Sequence, residues 1–256
     1  MHAKLLHIYG PLNINSFGLF IIIGIILFSV LILHDEKFKK ILSKDSYFNL
    51  LSLSIGIAIL GGRLLYVITN WPLDSWSEIF AVWNGGFSLL GGIIALLIFI
   101  PYYVKKQKIS ALALLDRIAL YAPLLQAVSR LGCFFAGCCF GLPTNVPWAI
   151  INEYCGFAVH PTQLYSATLL LIIFLVSYFL LDRLCKKPGQ LLCLYIVLVS
   201  IERFVIDFWR GDRTFFANAP FQIFSILQLL ALLLGISSLI LLIIITFYKK
   251  NTNESF

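Results

Sequence analysis

Charged residues are scarce in this chain. Asp, Glu, Lys and Arg make up 12% of its 256 residues, whereas 60% of the residues are hydrophobic. Soluble domains carry about a quarter charged residues, so this shortage excludes an ordinary water-soluble domain. Apolar runs close to or above the roughly 18 residues that cross a bilayer recur from end to end. The sequence therefore predicts an all-α, polytopic membrane helix bundle, with residues 1–256 forming a single transmembrane domain.

Acidic residues are the scarcer of the two charged classes, with 12 Asp and Glu against 19 Lys and Arg. Such a surplus can indicate nucleic-acid binding, but here the basic residues are grouped in alternate loops. The clusters are Lys37, Lys39, Lys40 and Lys44; Lys105, Lys106 and Lys108; Arg183, Lys186 and Lys187; and Lys249 with Lys250. This positive-inside pattern predicts a cytoplasmic C-terminus, an N-terminus outside the cell and no nucleic-acid partner.

A cleavable leader is not expected either, since the first apolar run is followed by His34, Asp35, Glu36 and Lys37 and not by small residues. That run is therefore predicted to remain as a helix. Seven spans are predicted, near residues 15–34, 47–69, 87–104, 110–128, 164–182, 189–208 and 222–248. Residues 129–150 are apolar but punctuated by glycine, which predicts a re-entrant or interfacial loop on the outer side.

Several charges nevertheless lie within or beside apolar runs: Arg63, Arg117, Arg130, Arg203, Asp207 and Arg210. At the centre of a membrane helix each such charge costs about 2.5–3.5 kcal/mol. Arg203 and Asp207 are four residues apart, so they can pair on one helix face, and a stabilising ion pair is the structural interpretation. The functional interpretation is that the surplus arginines bind the phosphate of a lipid head group, for which a guanidinium is well shaped.

A histidine and a group of cysteines are further candidates. His160 stands just before Pro161 at the start of the fifth run, where it can act as an acid or base or simply form a structural hydrogen bond. Cys133, Cys138 and Cys139 could bind zinc with Cys155 and His160, but the spacing lacks a CxxC pair, so no metal and no cofactor are expected. A disulfide on the outer side, for example one involving Cys155, is favoured over a metal, and its pairing stays open.

Five motifs occur in order along most of the chain. They are residues 61–66 (GGRLLY), 83–92 (WNGGFSLLGG), 130–141 (RLGCFFAGCCFG) followed by 147–149 (PWA), 160–165 (HPTQLY) and 203–210 (RFVIDFWR). Together they resemble the motifs of the bacterial prolipoprotein diacylglyceryl transferases, in a divergent branch that carries cysteines.

The resemblance implies an enzyme of the bacterial cytoplasmic membrane that transfers a diacylglyceryl group from phosphatidylglycerol to the lipobox cysteine thiol of preprolipoproteins. Phosphatidylglycerol, preprolipoprotein signal peptides and the bilayer are then its partners. By motif position, Arg130, Arg203 and His160 are expected to be catalytic. The expected head-group ligands are Arg63, Tyr66, Arg210 and Gln163. The expected supporting residues are Asp207, Gly85, Gly86, Gly91, Gly92, Gly137 and Gly141.

The chain also departs from the family's motifs. Leu90 stands where the family has a histidine, while Cys133 and Cys138 replace a signature asparagine and glutamate. An alternative is therefore a related phospholipid-binding membrane protein that transfers a different group or acts through the Cys138 and Cys139 thiols. A transporter would predict inverted repeats, and the sequence shows no convincing repeat.

Overall fold

Helices dominate the protein. A computed structural model describes residues 4–9, 12–71, 86, 88–152, 156–215 and 223–247. The helices are α1 (Ser16–His34), α2 (Glu36–Lys39), α3 (Lys44–Thr69), α4 (Leu89–Lys106), α5 (Ala111–Ala136), α6 (Thr162–Val176), α7 (Asp182–Leu184), α8 (Gln190–Asp207) and α9 (Ile226–Phe247), with a π-helical turn at Ser177–Leu181. Short strands are β1 (Lys4–Tyr9), β2 (Leu12–Asn15), β3 (Ile150–Ile151) and β4 (Ala158–Val159). The predicted all-α class is confirmed.

The long helices have the length and composition of membrane spans. Within the described residues, five segments qualify: Ser16–His34, Lys44–Thr69, Ala111–Ala136, Thr162–Leu184 and Ile226–Phe247. The two other predicted spans are also helical, as α4 and α8, and α8 carries Glu202, Arg203 and Asp207. Large apolar side chains such as Leu60 and Ile98 are 70% exposed, as expected of surfaces that face lipid. The chain is a multi-pass membrane protein.

The described chain divides into two compact units. The first contains residues 1–6, 14–32 and 115–256, and the second contains residues 7–13 and 33–114. In the second unit, α3 and α4 pack at a glycine contact: a Cβ on Gly61 would lie 2.7 Å from the Gly91 carbonyl oxygen, and one on Gly91 would lie 2.3 Å from the Gly61 carbonyl oxygen. A Cβ on Gly92 would lie 3.1 Å from the carbonyl oxygen of Ala58. The missing side chains thus allow close helix packing.

In the first unit, α5 continues to Ala136, eight residues beyond the predicted end at 128. The sequence-based prediction treated Gly132 as part of an irregular segment. In the structure Gly132 is helical, and a Cβ there would lie 2.8 Å from the Cβ of Phe20, so this glycine serves helix packing. Gly137, at φ +72°, is the residue that ends the helix. The irregular segment within the predicted 129–150 region therefore begins at Gly137.

Two buried charged residues elsewhere in this unit, Asp116 and Arg117, have partners within the protein. The carboxylate of Asp116 accepts hydrogen bonds from the backbone N–H groups of Gly189 at 2.7 Å and Leu192 at 2.8 Å, where α8 begins. Arg117 pairs with Asp182 at 2.6 Å, and their side chains are 8% and 20% exposed. Asp116 thus satisfies backbone donors that the helix start leaves open, and Arg117 has a structural partner.

Candidate functional site

The segment after α5 is held between the approach to α6 and the end of α8. The backbone N–H of Gly141 donates to the carbonyl of His160 at 2.9 Å. On the other side, the N–H of Leu142 donates to the carbonyl of Trp209 at 2.8 Å, and Gly141 forms an antiparallel bridge with Arg210. Three segments distant in sequence, which carry the cysteines, His160 and Arg210, therefore meet at one place in the first unit.

Glycine is required where these segments cross. A Cβ on Gly141 would lie 2.6 Å from the Trp209 carbonyl oxygen and 2.7 Å from the His160 Cβ. Gly137 has a φ of +72° and Cys139 one of +59°, so the chain enters the left-handed region twice within three residues. A cysteine rarely adopts that conformation, because its Cβ crowds the backbone. The supporting roles predicted for Gly137 and Gly141 have this steric basis.

The first turn of α6 fastens the cysteine segment. The Thr162 hydroxyl donates to the carbonyl of Cys139 at 2.9 Å, and the Gln163 side-chain amide donates to the carbonyl of Cys138 at 2.7 Å. Gln163 is 1% exposed. Its observed contact is thus with the loop backbone, and the head-group contact expected for it stays a prediction.

Three guanidiniums lie near one another, those of Arg130, Arg203 and Arg210, since the charges of Arg130 and Arg210 both act on Arg203. We name them the arginine cluster. All three also act on the buried carboxylate of Glu202, which accepts a short hydrogen bond from the Ser166 hydroxyl. Positive charge is therefore concentrated around one carboxylate in the first unit.

The three arginines differ in the hydrogen bonds and ion pairs that their guanidiniums form. Arg210 is bound by Asp212, with its Nε donating to Oδ1 at 2.7 Å and its Nη2 donating to Oδ2. The Nη2 of Arg203 lies 3.8 Å from Oδ1 of Asp207, so the predicted i,i+4 pair is present but long. Arg130 has no hydrogen bond and no ion pair with any residue that the structure describes. Arg130 is therefore the member without a directly bound partner among the described residues, and Glu202 is the carboxylate within its electrostatic range.

Asp207 has additional partners that the sequence did not reveal. It is 0% exposed, its Oδ2 accepts a short hydrogen bond from the Ser225 hydroxyl, and Arg213 Nε lies 3.6 Å from the same oxygen. Because Arg203 shares this carboxylate with Arg213, one negative charge serves two guanidiniums. This sharing leaves part of the positive charge of Arg203 uncompensated.

His160 lies beside a cavity. Its Nδ1 is 3.3 Å from the hydroxyl of Tyr165, and that hydroxyl accepts a hydrogen bond from Trp148 Nε1 at 2.6 Å. These three side chains line a cavity of about 650 Å³ together with Val146, Thr168, Leu169, Val205, Ile206 and Trp209. The walls are mostly apolar with a few polar groups, which is typical of a small-molecule site. Sequence analysis assigned Trp148 no function, although the structure makes it a partner of Tyr165.

The sulfur atoms of three cysteines cluster in the same region. The Sγ atoms of Cys133, Cys138 and Cys139 all lie within 4.8 Å of one another, and the three residues are free thiols. Cys133 is buried on α5, whereas Cys138 is exposed. The charges of Arg210 and Arg130 act on Cys139, so the cysteines adjoin the arginine cluster. Cys155 lies outside the described residues, and the disulfide expected for it stays a prediction.

The second unit contains the remaining predicted site residues. Arg63 Nη1 donates to the carbonyl of Gly86 at 2.8 Å, and its guanidinium carbon lies 5.1 Å from the centre of the Tyr66 ring. Gly86 has a φ of +74°, and a Cβ there would lie 2.6 Å from that ring. Leu90 is 60% exposed, and Gly85 lies outside the described residues. Head-group binding by Arg63 and Tyr66 remains a prediction.

Comparison with known proteins gives a consistent result. The family model described as prolipoprotein diacylglyceryl transferase matches residues 3–244. A Clostridium tetani protein named phosphatidylglycerol–prolipoprotein diacylglyceryl transferase is 35% identical over 221 residues, covering 83% of this chain and 86% of the relative. A Finegoldia magna protein of the same name is 34% identical, covering 81% and 83% of the two chains. A third, from Clostridioides difficile, is 32% identical over 246 residues, covering 95% and 94%.

The matched range runs from β1 into α9 and includes every segment of the arginine cluster, the cysteines and the His160 cavity. The relatives are similar over most of their own length as well as most of this chain. The resemblance found in the five sequence motifs is confirmed, and the chain belongs to the prolipoprotein diacylglyceryl transferase family.

Proposed function

We propose that this protein transfers a diacylglyceryl group from phosphatidylglycerol to the lipobox cysteine thiol of preprolipoproteins. Family membership and the names of the relatives support both substrates. The observation that carries the proposal is the guanidinium of Arg130, which forms no hydrogen bond and no direct ion pair with the described residues, lies near two further arginines and shares the carboxylate of Glu202 with them. A phosphodiester supplies the anion that such a group binds.

The arginine cluster supplies the electrostatics of the reaction. The acceptor sulfur bonds to the glyceryl carbon while the bond from that carbon to the phosphate oxygen breaks, and glycerol phosphate leaves. Negative charge grows on the leaving oxygen, so guanidiniums aimed at the phosphate lower the barrier. Arg130 and Arg203 have this role in the proposal, and Arg210, oriented by Asp212, supports the same phosphate.

Deprotonation of the acceptor thiol is assigned to His160. A cysteine thiol has a pKa of about 8.5, and the thiolate is the nucleophile. The imidazole of His160 lies beside a cavity, and its Nδ1 contacts Tyr165, which holds the ring in one orientation. Histidine is the side chain that most often serves as a general base in enzymes. It supplies a base in a chain that has Leu90 at the position of the family's histidine.

The proposed reaction takes place in one membrane and on one side of it. The protein lies in the bacterial cytoplasmic membrane with its N-terminus outside, and the basic loop clusters found in the sequence support this topology. The cysteine segment and His160 are then on the outer side. An acceptor cysteine at the outer end of a signal peptide can reach that side of the bilayer.

A reconstituted transfer assay tests the proposal. The purified protein is placed in bilayers that contain phosphatidylglycerol and is incubated with a lipobox peptide, and the product is analysed by mass spectrometry. We expect a thioether-linked diacylglyceryl peptide and release of glycerol phosphate. A peptide with serine in place of the lipobox cysteine should give none. Absence of product under conditions in which the Clostridioides difficile relative is active would refute the proposal.

A further inference from the structure

Three cysteine sulfurs meet at one point in the first unit, and neither the family's motifs nor the transfer reaction as proposed above explains them. Cys133 projects from the last turns of α5, and Cys138 and Cys139 follow the left-handed turn at Gly137. This reversal brings all three Sγ atoms within 4.8 Å of one another. A disulfide would join only two of them, so it would leave the position of the third sulfur unexplained.

We propose that Cys133, Cys138 and Cys139 bind one zinc ion, and that the fourth coordination position of this ion takes the thiolate of the acceptor cysteine. Zinc prefers thiolate ligands in a tetrahedral arrangement, with Zn–S distances of about 2.3 Å. Tetrahedral geometry at that distance separates the sulfurs by about 3.8 Å. The observed spacing therefore needs a closure of about 1 Å or less, which side-chain rotation provides.

The surrounding contacts hold the three ligands in place before a metal binds. Thr162 and Gln163 fix the carbonyls of Cys139 and Cys138, and the N–H of Cys138 donates to the carbonyl of Cys133 at 3.2 Å. The buried Asn152 side chain donates to the carbonyl of Gly137 at 3.1 Å. The backbone strain at Cys139, with its φ of +59°, is explained if the side chain must point at a shared ion.

The charges near the site favour this assignment. Zinc with three thiolates carries one net negative charge, and the guanidiniums of Arg210 and Arg130 lie within electrostatic range of Cys139. Those cations offset the negative charge of such a site. The sequence-based expectation of no metal rested on the absence of a CxxC pair, whereas the folded chain supplies the three ligands through the turn at Gly137.

The open fourth position gives the ion a chemical role, which rests on the proposed transferase function. Sites with three protein ligands keep one position for water or substrate. A thiol that enters it is deprotonated by the metal and remains a nucleophile. Its proton passes to His160, its sulfur bonds to the glyceryl carbon, and the proton ends on the departing glycerol phosphate. The same arginines that stabilise the metal site then stabilise the leaving phosphate beside it.

The first test is to measure the metal content of the purified full-length protein by inductively coupled plasma mass spectrometry. We expect about one zinc per chain, as in a tetrahedral protein site. Cys138→Ser, at the exposed ligand, should lose the zinc and stay folded. Cys193→Ser, at a buried cysteine on α8, is the matched control and should keep the zinc. Thermal unfolding identifies any variant that has lost its structure.

Cobalt substitution tests the fourth position independently of catalysis. Co²⁺ bound to three thiolates gives a visible spectrum, and adding the lipobox peptide should change it, whereas the serine peptide should not. Thioether formation by wild-type protein that contains no zinc would overturn the inference and leave the proposed function intact. Full activity of Cys138→Ser would do the same. A disulfide among the three cysteines in the untreated protein also overturns it. Bound zinc and a cobalt response without thioether formation supports the site and refutes the transfer.

Discussion

Arg210 and Asp212 form a two-point contact, with Arg210 Nε donating to Asp212 Oδ1 at 2.7 Å and Nη2 donating to Oδ2. The pairing fixes the plane of a guanidinium at the end of α8, next to the Gly141 bridge. Planar two-point contacts orient an arginine more strictly than a single hydrogen bond does. Asp212 thus holds the Arg210 guanidinium in one orientation.

This contact predicts an acid-sensitive stability difference. The hydrogen bond from Arg210 lowers the pKa of the Asp212 carboxyl below its usual value. The contact therefore stabilises the folded protein above the unfolded pKa of about 3.9, and the stabilisation is lost as the pH falls through the lowered folded pKa. Asp212→Asn should unfold at a slightly lower temperature than wild type at pH 7, and the difference should disappear in strong acid. A difference that grows as the pH falls would contradict this assignment.

His160 and Tyr165 give a kinetic prediction. A general base contributes about 10²–10⁴-fold to a rate, so His160→Ala should reduce transfer by at least the lower figure. Tyr165→Phe should reduce it less, because His160 keeps its imidazole and loses only the hydroxyl 3.3 Å from its Nδ1. Tyr178→Phe is the control: it removes a hydroxyl in the π-helical turn and should leave the rate unchanged. Full activity in His160→Ala would remove the base from the mechanism.

The glycine contact between α3 and α4 gives a packing prediction. Gly61→Ala places a Cβ 2.4 Å from the Cβ of Ala95, so the helices must separate. Overpacking of this kind costs about 1–3 kcal/mol. Gly56→Ala on the same helix meets no atom within 4 Å and should be neutral or slightly stabilising. Thermal unfolding in detergent measures both variants, and equal effects at the two positions would show that the close contact is not required.

Arg117 should behave differently from the arginine cluster. Removing one partner of a buried ion pair costs about 3–5 kcal/mol, so Arg117→Leu should be strongly destabilised because Asp182 loses its partner. The double variant Arg117→Leu with Asp182→Leu should recover much of the loss. Transfer per folded molecule should stay near the wild-type rate in both. A selective loss of transfer without loss of stability would move Arg117 into the active site.

The fold followed largely from hydrophobic run length and charge placement. The predicted spans correspond to helices, and the spacing of Arg203 and Asp207 predicted a pair that is present at 3.8 Å. The end of α5 was misplaced because a glycine can serve as a helix breaker or as a packing contact. Only the neighbouring Phe20 shows that Gly132 is the second kind.

The candidate site was less predictable, because its contacts join distant segments. The sequence analysis did not consider Asp212 and Arg213, yet Asp212 pairs with Arg210 and Arg213 pairs with Asp207. Trp148 looked like an interfacial aromatic, whereas it donates to Tyr165. The clustering of Cys133 with Cys138 and Cys139 depends on left-handed backbone at Gly137 and Cys139, which spacing alone does not reveal.

The most direct test of the central claim, that the guanidinium of Arg130 binds the lipid phosphate, is the transfer kinetics of Arg130 variants. Arg130→Ala should lower the rate about 10²–10³-fold, as expected when a transition-state donor is removed. Arg130→Lys should recover part of it, since it restores the charge but not the planar fork. Arg183→Ala, at an exposed arginine of α7, should match wild type. Thioether formation by folded Arg130→Ala at the wild-type rate would contradict the account.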